Sequence, residues 1–418
     1  MIPLLNLYKE RWQVESEQTI KPGLAAIESA LNILGHPESQ LNVVHFAGTN
    51  GKGSTLSFLE AVSRAHGLSV GKFMSPCVVD VHDQLQIDGK PITTDQMDRM
   101  FQQLAEAGLS GKLTDFELLT VVAFLYFADQ KPDLVLIEAG MGGREDSTNV
   151  VIPIVSVVPS IALEHTKFLG DTLTSIARHK AGIFKENRPA VIGDMIGNVK
   201  DVFVQEAKAK NVALYCYGQH FTVTKTNGSE LYENTVYEVK FGNLQRQLLG
   251  AHQGHNMSLA ITAFMEVAKK FQLELDESKI QLGIKNAVLA GRFEQVLPNI
   301  YFDGAHNPAS IQSLVSTIKE HFPRKRIEFV VGLLADKDVQ SILKLLEEVG
   351  DAFYFADIQN ERAMKASVIY ELSQAENKYI INDALTLLSE PVKADTVRIV
   401  TGSLYLLSEI RQEFKNII

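Results

Sequence analysis

Residues 43–66 commit the chain to a fold. Val43-Val44-His45-Phe46 is a short strand-like run, and Ala47-Gly48-Thr49-Asn50-Gly51-Lys52-Gly53-Ser54-Thr55 follows it. Leu56, Leu59, Val62 and His66 then recur at helical spacing. A strand that turns through glycines straight into a helix is the first half of a crossover unit, which implies a parallel sheet covered by helices. The turn also carries chemistry. Backbone N–H groups of a glycine loop at a helix N-terminus suit a polyphosphate. Lys52 is placed to meet the outer phosphates, and a following hydroxyl to meet Mg²⁺. The spacing is irregular: the first glycine of G-x-x-x-x-G-K-[ST] falls on Phe46, and Gly53 separates Lys52 from Ser54. A glycine turn between any strand and helix is the plainer reading, but strand, loop and amphipathic helix together favour nucleotide binding by Gly48, Thr49, Asn50, Gly51, Lys52, Gly53 and Ser54.

The alternation continues. Ser69–Met74, Leu134–Ala139 and Ile154–Val158 read as strands, Leu56–His66 and Phe116–Ala128 as helices. Phe221–Gly250 differs, with alternating patterns around Asn227-Gly228 and Gly242-Asn243, and reads as a small antiparallel insert with turns at both places. Met257–Phe271 is an amphipathic helix. A second series begins with strand Ile300–Phe302 and a helix over 309–321, then strands Ile327–Leu334, Ala352–Ala356 and Val397–Thr401. With 418 residues, more than one core is expected. The fold class is α/β: a P-loop domain over 1–296 with a mostly parallel sheet and an antiparallel insert, then a smaller Rossmann-like domain over 297–418.

Composition narrows the function. A net charge of −10 argues against a general nucleic-acid binder or a membrane-surface protein. Cys77 and Cys216 are the only cysteines, which fits a reduced cytoplasm, and both read as structural. The start, Met1-Ile2-Pro3-Leu4-Leu5, is a poor signal peptide. The apolar stretch near 150–163 contains Pro153 and Pro159 and is too short to span a bilayer. A monomer is expected, since no self-association stripe is visible.

Four further clusters carry candidate chemistry. Glu138 ends a strand beside the phosphate loop, where a carboxylate is either a Mg²⁺ ligand or is satisfied by backbone N–H groups. His165, in Leu163-Glu164-His165-Thr166, follows the next strand and is a base, a metal ligand or a cap. Lys180 lies on a helix, and its pattern alone favours an exposed lysine. Gly291-Arg292-Phe293-Glu294 and Asp303-Gly304-Ala305-His306-Asn307-Pro308 span the domain boundary, either as nucleotide contacts or as linker polarity and an Asp-Gly turn. His252 and His255, three apart, have no acidic or thiol partner nearby and read as helix N-terminal polarity.

Together these residues resemble the folylpolyglutamate synthase and dihydrofolate synthase family of the Mur ligase superfamily. The resemblance covers nearly the whole chain. It runs through His45 to Ser54, Met74-Ser75-Pro76, Thr114-Asp115-Phe116-Glu117, Glu138 to Asn149, Lys180-Ala181-Gly182-Ile183, His252-Gln253 with Asn256, and Gly291 to Glu294. Asp303 to Pro308, Ala335-Asp336-Lys337-Asp338 and Thr401-Gly402-Ser403-Leu404-Tyr405 complete it. The resemblance implies an ATP-dependent amide ligase that joins L-glutamate to a folate, to dihydropteroate, or to both, through an acyl phosphate. It implies catalytic roles for Lys52, His165 and Lys180, and a Mg²⁺ site of Ser54, Glu138 and His165. Lys180 is implied to be carbamylated beside a second metal. Asn256, Arg292, Asp303 and His306 are implied to serve ATP, with Arg292 on a hinge, and Ser75, Pro76, Phe116 and Glu117 the pterin side.

The chain departs from the family pattern at Cys77-Val78, at Asp83-Gln84-Leu85 and at Glu164, where the family often has His-Leu, Glu-Arg-Ile and Asp. These departures bear on substrate choice more than on ATP chemistry. A UDP-muramyl amino-acid ligase, a small-molecule kinase and an inactive ATP- or folate-binding module are the alternatives.

Overall fold

A computed structural model describes residues 2–226 and 228–414. They form two compact units, one of residues up to Gln247 with Gly254–Ala287, the other of Leu248–Gln253 with residues from Val288 onward.

The first unit is built on an eight-stranded sheet of β1 (Val43–Phe46), β2 (Val70–Phe73), β3 (Leu85–Ile87), β4 (Lys90–Pro91), β5 (Leu134–Glu138), β6 (Val155–Val158), β7 (Ala190–Ile192) and β8 (Leu214–Cys216). Their order is β4-β3-β2-β5-β1-β6-β7-β8. The run from β2 to β8 is parallel, and β3 with β4 adds an antiparallel edge hairpin. Asp88 and Gly89, both at positive φ, turn that hairpin between paired Ile87 and Lys90. β1 is flanked on both sides and every residue in it is buried, which is why its sequence is continuously apolar apart from His45.

The helix after β1 runs Lys52–Ala65, one turn longer than its apolar spacing predicts. Its far side meets the helix Glu277–Asn286 so closely that a Cβ on Gly283 would lie 2.6 Å from the Val62 Cα. Helix Asp115–Gln130 starts at a capping box of Thr114 and Glu117 and is buried along most of its length, so it is apolar all round.

The insert is a three-stranded antiparallel sheet of β9 (Phe221–Thr226), β10 (Ser229–Asn234) and β11 (Val239–Leu244), in order β11-β10-β9. Asn227, in one expected turn, lies outside the described residues. The expected turn at Gly242-Asn243 is corrected: both residues lie within β11, where the register with β10 shifts and Asn243 takes φ +52°. An irregular strand uses the same turn-forming residues as a hairpin. The insert is seated on helix Ala251–Phe271 through buried Tyr232, whose hydroxyl pairs with Thr262 at 2.8 Å. That helix begins six residues before the expected Met257.

The second unit carries a six-stranded sheet of β12 (Glu294–Leu297), β13 (Ile300–Phe302), β14 (Arg326–Val331), β15 (Ala352–Ala356), β16 (Lys378–Ile381) and β17 (Thr396–Thr401). The order is β12-β13-β17-β14-β15-β16, parallel except for β12. Apolar residues of β14 and β17 alternate between two cores, with Phe329 and Ile399 on one side and Val330 and Val400 on the other. Among the described residues no helix is long and apolar enough to cross a membrane.

One buried ion pair links β2 to the phosphate-loop helix: Lys72 Nζ lies 2.7 Å from Glu60 Oε2, both side chains nearly enclosed. Lys72→Met would strand the carboxylate and cost about 3 kcal/mol. The expected result is a thermal midpoint about 5 °C or more lower, largely restored when Glu60→Leu is added, as differential scanning calorimetry would show.

Candidate active site

The carboxyl ends of β1, β5 and β6 gather the site. Parallel pairing sets Phe46 beside Glu138 at the ends of β1 and β5. The loop between them and the helix is pinned from the β6 side. Thr49 N donates to Ser160 O at 2.9 Å, Asn50 N to Ser160 Oγ at 3.0 Å, and Thr49 Oγ1 to Ala162 O at 3.1 Å. Gly51 has φ +87°, and a Cβ there would lie 2.5 Å from Asn256 Oδ1. Both the backbone angle and the approach of Asn256 require glycine. Asn256 thus reaches the loop from the Ala251–Phe271 helix, far away in sequence.

Lys52 opens the helix with its Nζ at 2.9 Å from Gly48 O, 3.3 Å from Thr49 O and 3.6 Å from Glu138 Oε1. The ammonium therefore lies across the mouth of its own loop, beside the carboxylate. Ser54, two residues further along the helix, is buried.

Lys180 corrects its sequence pattern. It is 2% exposed, on helix Leu173–Ala181, because that helix packs this face inward rather than to solvent. Burial drives its ammonium from the usual lysine range down to about 7, and the charge of Lys52 pushes the same way. Glu164, Asp146 and Glu138 oppose the shift. Two cations and three carboxylates thus share one desolvated neighbourhood. His165 stands at its edge with φ +51° at the start of a short helix, its Nε2 4.0 Å from Glu164 Oε1.

Asp146 holds the loop after β5. Its Oδ2 accepts Met141 N at 2.7 Å, and its Oδ1 accepts Thr148 N at 3.0 Å and Thr148 Oγ1 at 2.6 Å. Asp146 lies inside the Glu138–Asn149 motif without being marked out there, and Ser160 falls outside every motif. An Asp two residues before a Thr is a common turn pattern, and only its burial gives it weight.

Phe116 is half-buried, stacked on Phe73 at 5.9 Å, and pressed so close to Gly140 that a Cβ there would meet its ring at 2.5 Å. Glu117 Oε2 accepts from both Thr114 N and Thr114 Oγ1 at 2.8 Å, so this carboxylate caps its helix. Thr114 and Glu117 also line a cleft of about 240 Å³ with Glu17, Lys21, Gly23 and Lys112. Ser75 and Pro76 follow β2, Ser75 half-buried and Pro76 exposed.

In the second unit Asp303 follows β13. Its Oδ2 accepts Phe293 N and its Oδ1 accepts Ala305 N, each at 2.9 Å. Burial raises its carboxyl and Arg292 lowers it. Arg292 Nη1 donates to Gly291 O at 3.1 Å, and His306 Nδ1 donates to Gly304 O at 2.8 Å. Asp303 therefore knots the Arg292 and His306 segments together. At the ends of β14, β15 and β17, Arg362 lies 3.7 Å from Asp336 and 3.3 Å from the Tyr405 hydroxyl.

The donors suit magnesium. Ser54 and Glu138 supply hard oxygens beside a phosphate loop, and Mg²⁺ typically takes one or two carboxylates together with phosphate oxygens and water. Among the described residues no three His, Cys, Asp or Glu side chains form a complete cage.

The chain matches known proteins over nearly its whole length. Residues 46–264 match the Mur ligase middle domain, and residues 291–404 the Mur ligase glutamate ligase domain. The dihydrofolate synthase/folylpolyglutamate synthase of Bacillus subtilis is 33% identical over 411 residues, 95% of this chain and 96% of that protein. A structure of Escherichia coli FolC in complex with DHPP and ADP superposes with a TM-score of 0.89 at 29% identity, covering 99% of this chain and 98% of that one. Mycobacterium tuberculosis folylpolyglutamate synthase, complexed with ADP and AMPPCP, gives 0.83 at 28% identity, covering 94% and 95%.

Gly51→Ala is expected to weaken ATP binding about tenfold, because the αL strain and the clash with Asn256 both fall on the phosphate loop. Isothermal titration with ATP measures this, and unchanged affinity would exclude the loop as the nucleotide site.

Proposed function

The chain belongs to the folylpolyglutamate synthase and dihydrofolate synthase family of Mur ligases, and on that footing we propose that it joins L-glutamate to a folate or to dihydropteroate with hydrolysis of ATP to ADP and phosphate. The observation that carries the reading is the buried charge cluster around Lys52, Glu138 and Lys180 at the end of the phosphate loop. A kinase holds phosphates and one acceptor, and its work ends with phosphoryl transfer. A ligase must go on holding the acyl phosphate while an amine displaces phosphate, and extra charge beside the loop, from Lys52 and Lys180, serves that need.

The chemistry divides among the residues as follows. The acceptor carboxylate attacks the γ-phosphorus of ATP, giving an acyl phosphate and ADP. The uncharged amine of glutamate then adds to the carbonyl carbon, and phosphate leaves as the amide forms. Loop N–H groups from Gly48 to Ser54 and the Lys52 ammonium hold the phosphates in line and offset their charge. Asn256, Arg292, Asp303 and His306 are proposed as further nucleotide contacts. Mg²⁺ supplies additional charge neutralisation when bound, with Ser54, Glu138 and His165 as its proposed holders.

An amine must be uncharged to take up carbon dioxide, and Lys180, lowered to about 7, supplies uncharged amine at neutral pH. Carbamylation would add carbon dioxide to that amine and release a proton, and the carbamate would offer an anionic oxygen to hold a second metal.

For the pterin we propose the cleft lined by Thr114 and Glu117, and we propose Phe116, Ser75 and Pro76 as further pterin contacts. For glutamate we propose the carboxyl ends of β14, β15 and β17, where Arg362 offers a guanidinium to a carboxylate. ATP handling belongs to residues 1–296 and glutamate handling to 297–418 in this reading. A cytoplasmic monomer is proposed as well, in keeping with two buried free thiols.

Incubation with ATP, Mg²⁺, glutamate and either dihydropteroate or tetrahydrofolate is expected to yield amide, ADP and phosphate. Release of AMP and pyrophosphate would refute the acyl-phosphate route. Lys180→Ala is expected to abolish ligation while ATP still binds. The uncharged share of Lys180 grows from roughly one tenth at pH 6 to nine tenths at pH 8. Wild-type activity should therefore rise through pH 7 and fall on bicarbonate depletion at fixed pH. Full activity without bicarbonate or carbon dioxide would remove the carbamate.

A further inference from the structure

His45 is a histidine in the middle of a fully buried strand, and no step above uses it. Its ring is 0% exposed, and burial with the nearby Lys185 charge drives it down to about 3, so it is neutral. Its Nε2 lies 2.8 Å from Thr148 Oγ1. The Thr148 hydroxyl has one proton, and it goes to Asp146 Oδ1 at 2.6 Å, because Oδ1 also accepts Thr148 N and Oδ2 accepts Met141 N, so both carboxyl oxygens act as acceptors. His45 must therefore donate from Nε2 to Thr148. The tautomer follows from the chain of bonds, and Nδ1 is left as a buried acceptor with no hydrogen-bond partner among the described residues.

Resting on the ligase reading above, we propose that His45 is a positioning residue for the acceptor substrate, acting through Thr148 and Asp146 on the Gly140–Arg144 loop. Asp146 closes that loop through Met141 N at 2.7 Å, and Asp146 N donates back to Gly143 O at 3.2 Å. On one side the loop meets Phe116, whose ring leaves no room for a Cβ at Gly140. On the other, Arg144 N donates to His179 O at 2.7 Å, and a Cβ on Gly143 would lie 3.2 Å from Lys180 O. The loop thus backs both the ring proposed for the pterin side and the helix turn that carries Lys180.

Its anchor differs from that of the phosphate loop, which is held by Ser160 and Ala162 after β6. Loss of the relay should therefore move the acceptor while leaving ATP in place. A glutamine at position 45 can present an N–H near the Nε2 position, and a serine at 148 keeps the hydroxyl. Leucine and valine keep bulk but lose the bonds.

The test compares wild type with His45→Leu, His45→Gln, Thr148→Val and Thr148→Ser, measuring KM for dihydropteroate or tetrahydrofolate and KM for ATP, with melting curves to confirm folding. Expected is an acceptor KM raised about tenfold in His45→Leu and Thr148→Val, with ATP KM within about twofold, and recovery to within about threefold of wild type in the Gln and Ser variants. The double variant His45→Leu/Thr148→Val should add little to either single one, because both break one chain. Equal shifts in both KM values, no shift in acceptor KM, additive losses or failure of the conservative variants would each overturn the relay. A wild type that forms no amide from either acceptor would overturn the ligase reading, and the relay with it. A wild type that does, beside variants with unmoved acceptor KM, would overturn the relay alone.

Discussion

The site depends on an ammonium group held out of water. Burial lowers Lys180, the charge of Lys52 pushes the same way, and three carboxylates, Glu164, Asp146 and Glu138, oppose the shift. In water such interactions are worth little, but inside a protein they set protonation states. The phosphate loop, through Lys52, and Glu138, a proposed metal ligand, belong to this balance. Enclosure is the first cause of the fall of the Lys180 ammonium to about 7.

Holding those charges in place is the task of parallel strand ends. β1 sits between β5 and β6, so the phosphate loop, Glu138 and the Ser160 segment emerge side by side. A ligand beyond the carboxyl ends of such strands meets loops rather than sheet, while the sheet fixes where the loops begin. Two separate sets of hydrogen bonds then finish the job. Ser160 and Ala162 hold the phosphate loop, and Asp146 with Thr148 holds the loop that backs Phe116 and Lys180.

Local patterns were legible wherever one element's own geometry was at stake. The Gly51 turn, the strand before it and the crossover helices could be read from spacing, because glycine torsions and helical periodicity are local properties. Legibility failed where a residue type serves two geometries. Gly242-Asn243 suits a hairpin turn and an irregular strand equally, and the partner strand decides between them. The Asp88-Gly89 hairpin is short enough to pass unnoticed beside a long parallel sheet. Lys180 sits on a helix whose pattern shows no reason to bury an ammonium, so its pattern pointed to solvent.

The sequence by itself determined an α/β chain with a phosphate loop of unusual spacing, the order of its elements, and the family to which those motifs belong. The tertiary structure alone decided that Lys180 is enclosed with Lys52, that Asn256 closes on Gly51 from another helix, and that His45 reaches Asp146 through Thr148. Spacing along the chain encodes torsion and periodicity. Lys52 and Lys180, Gly51 and Asn256, and His45 and Thr148 each stand more than a hundred positions apart, and no local pattern records that they will meet.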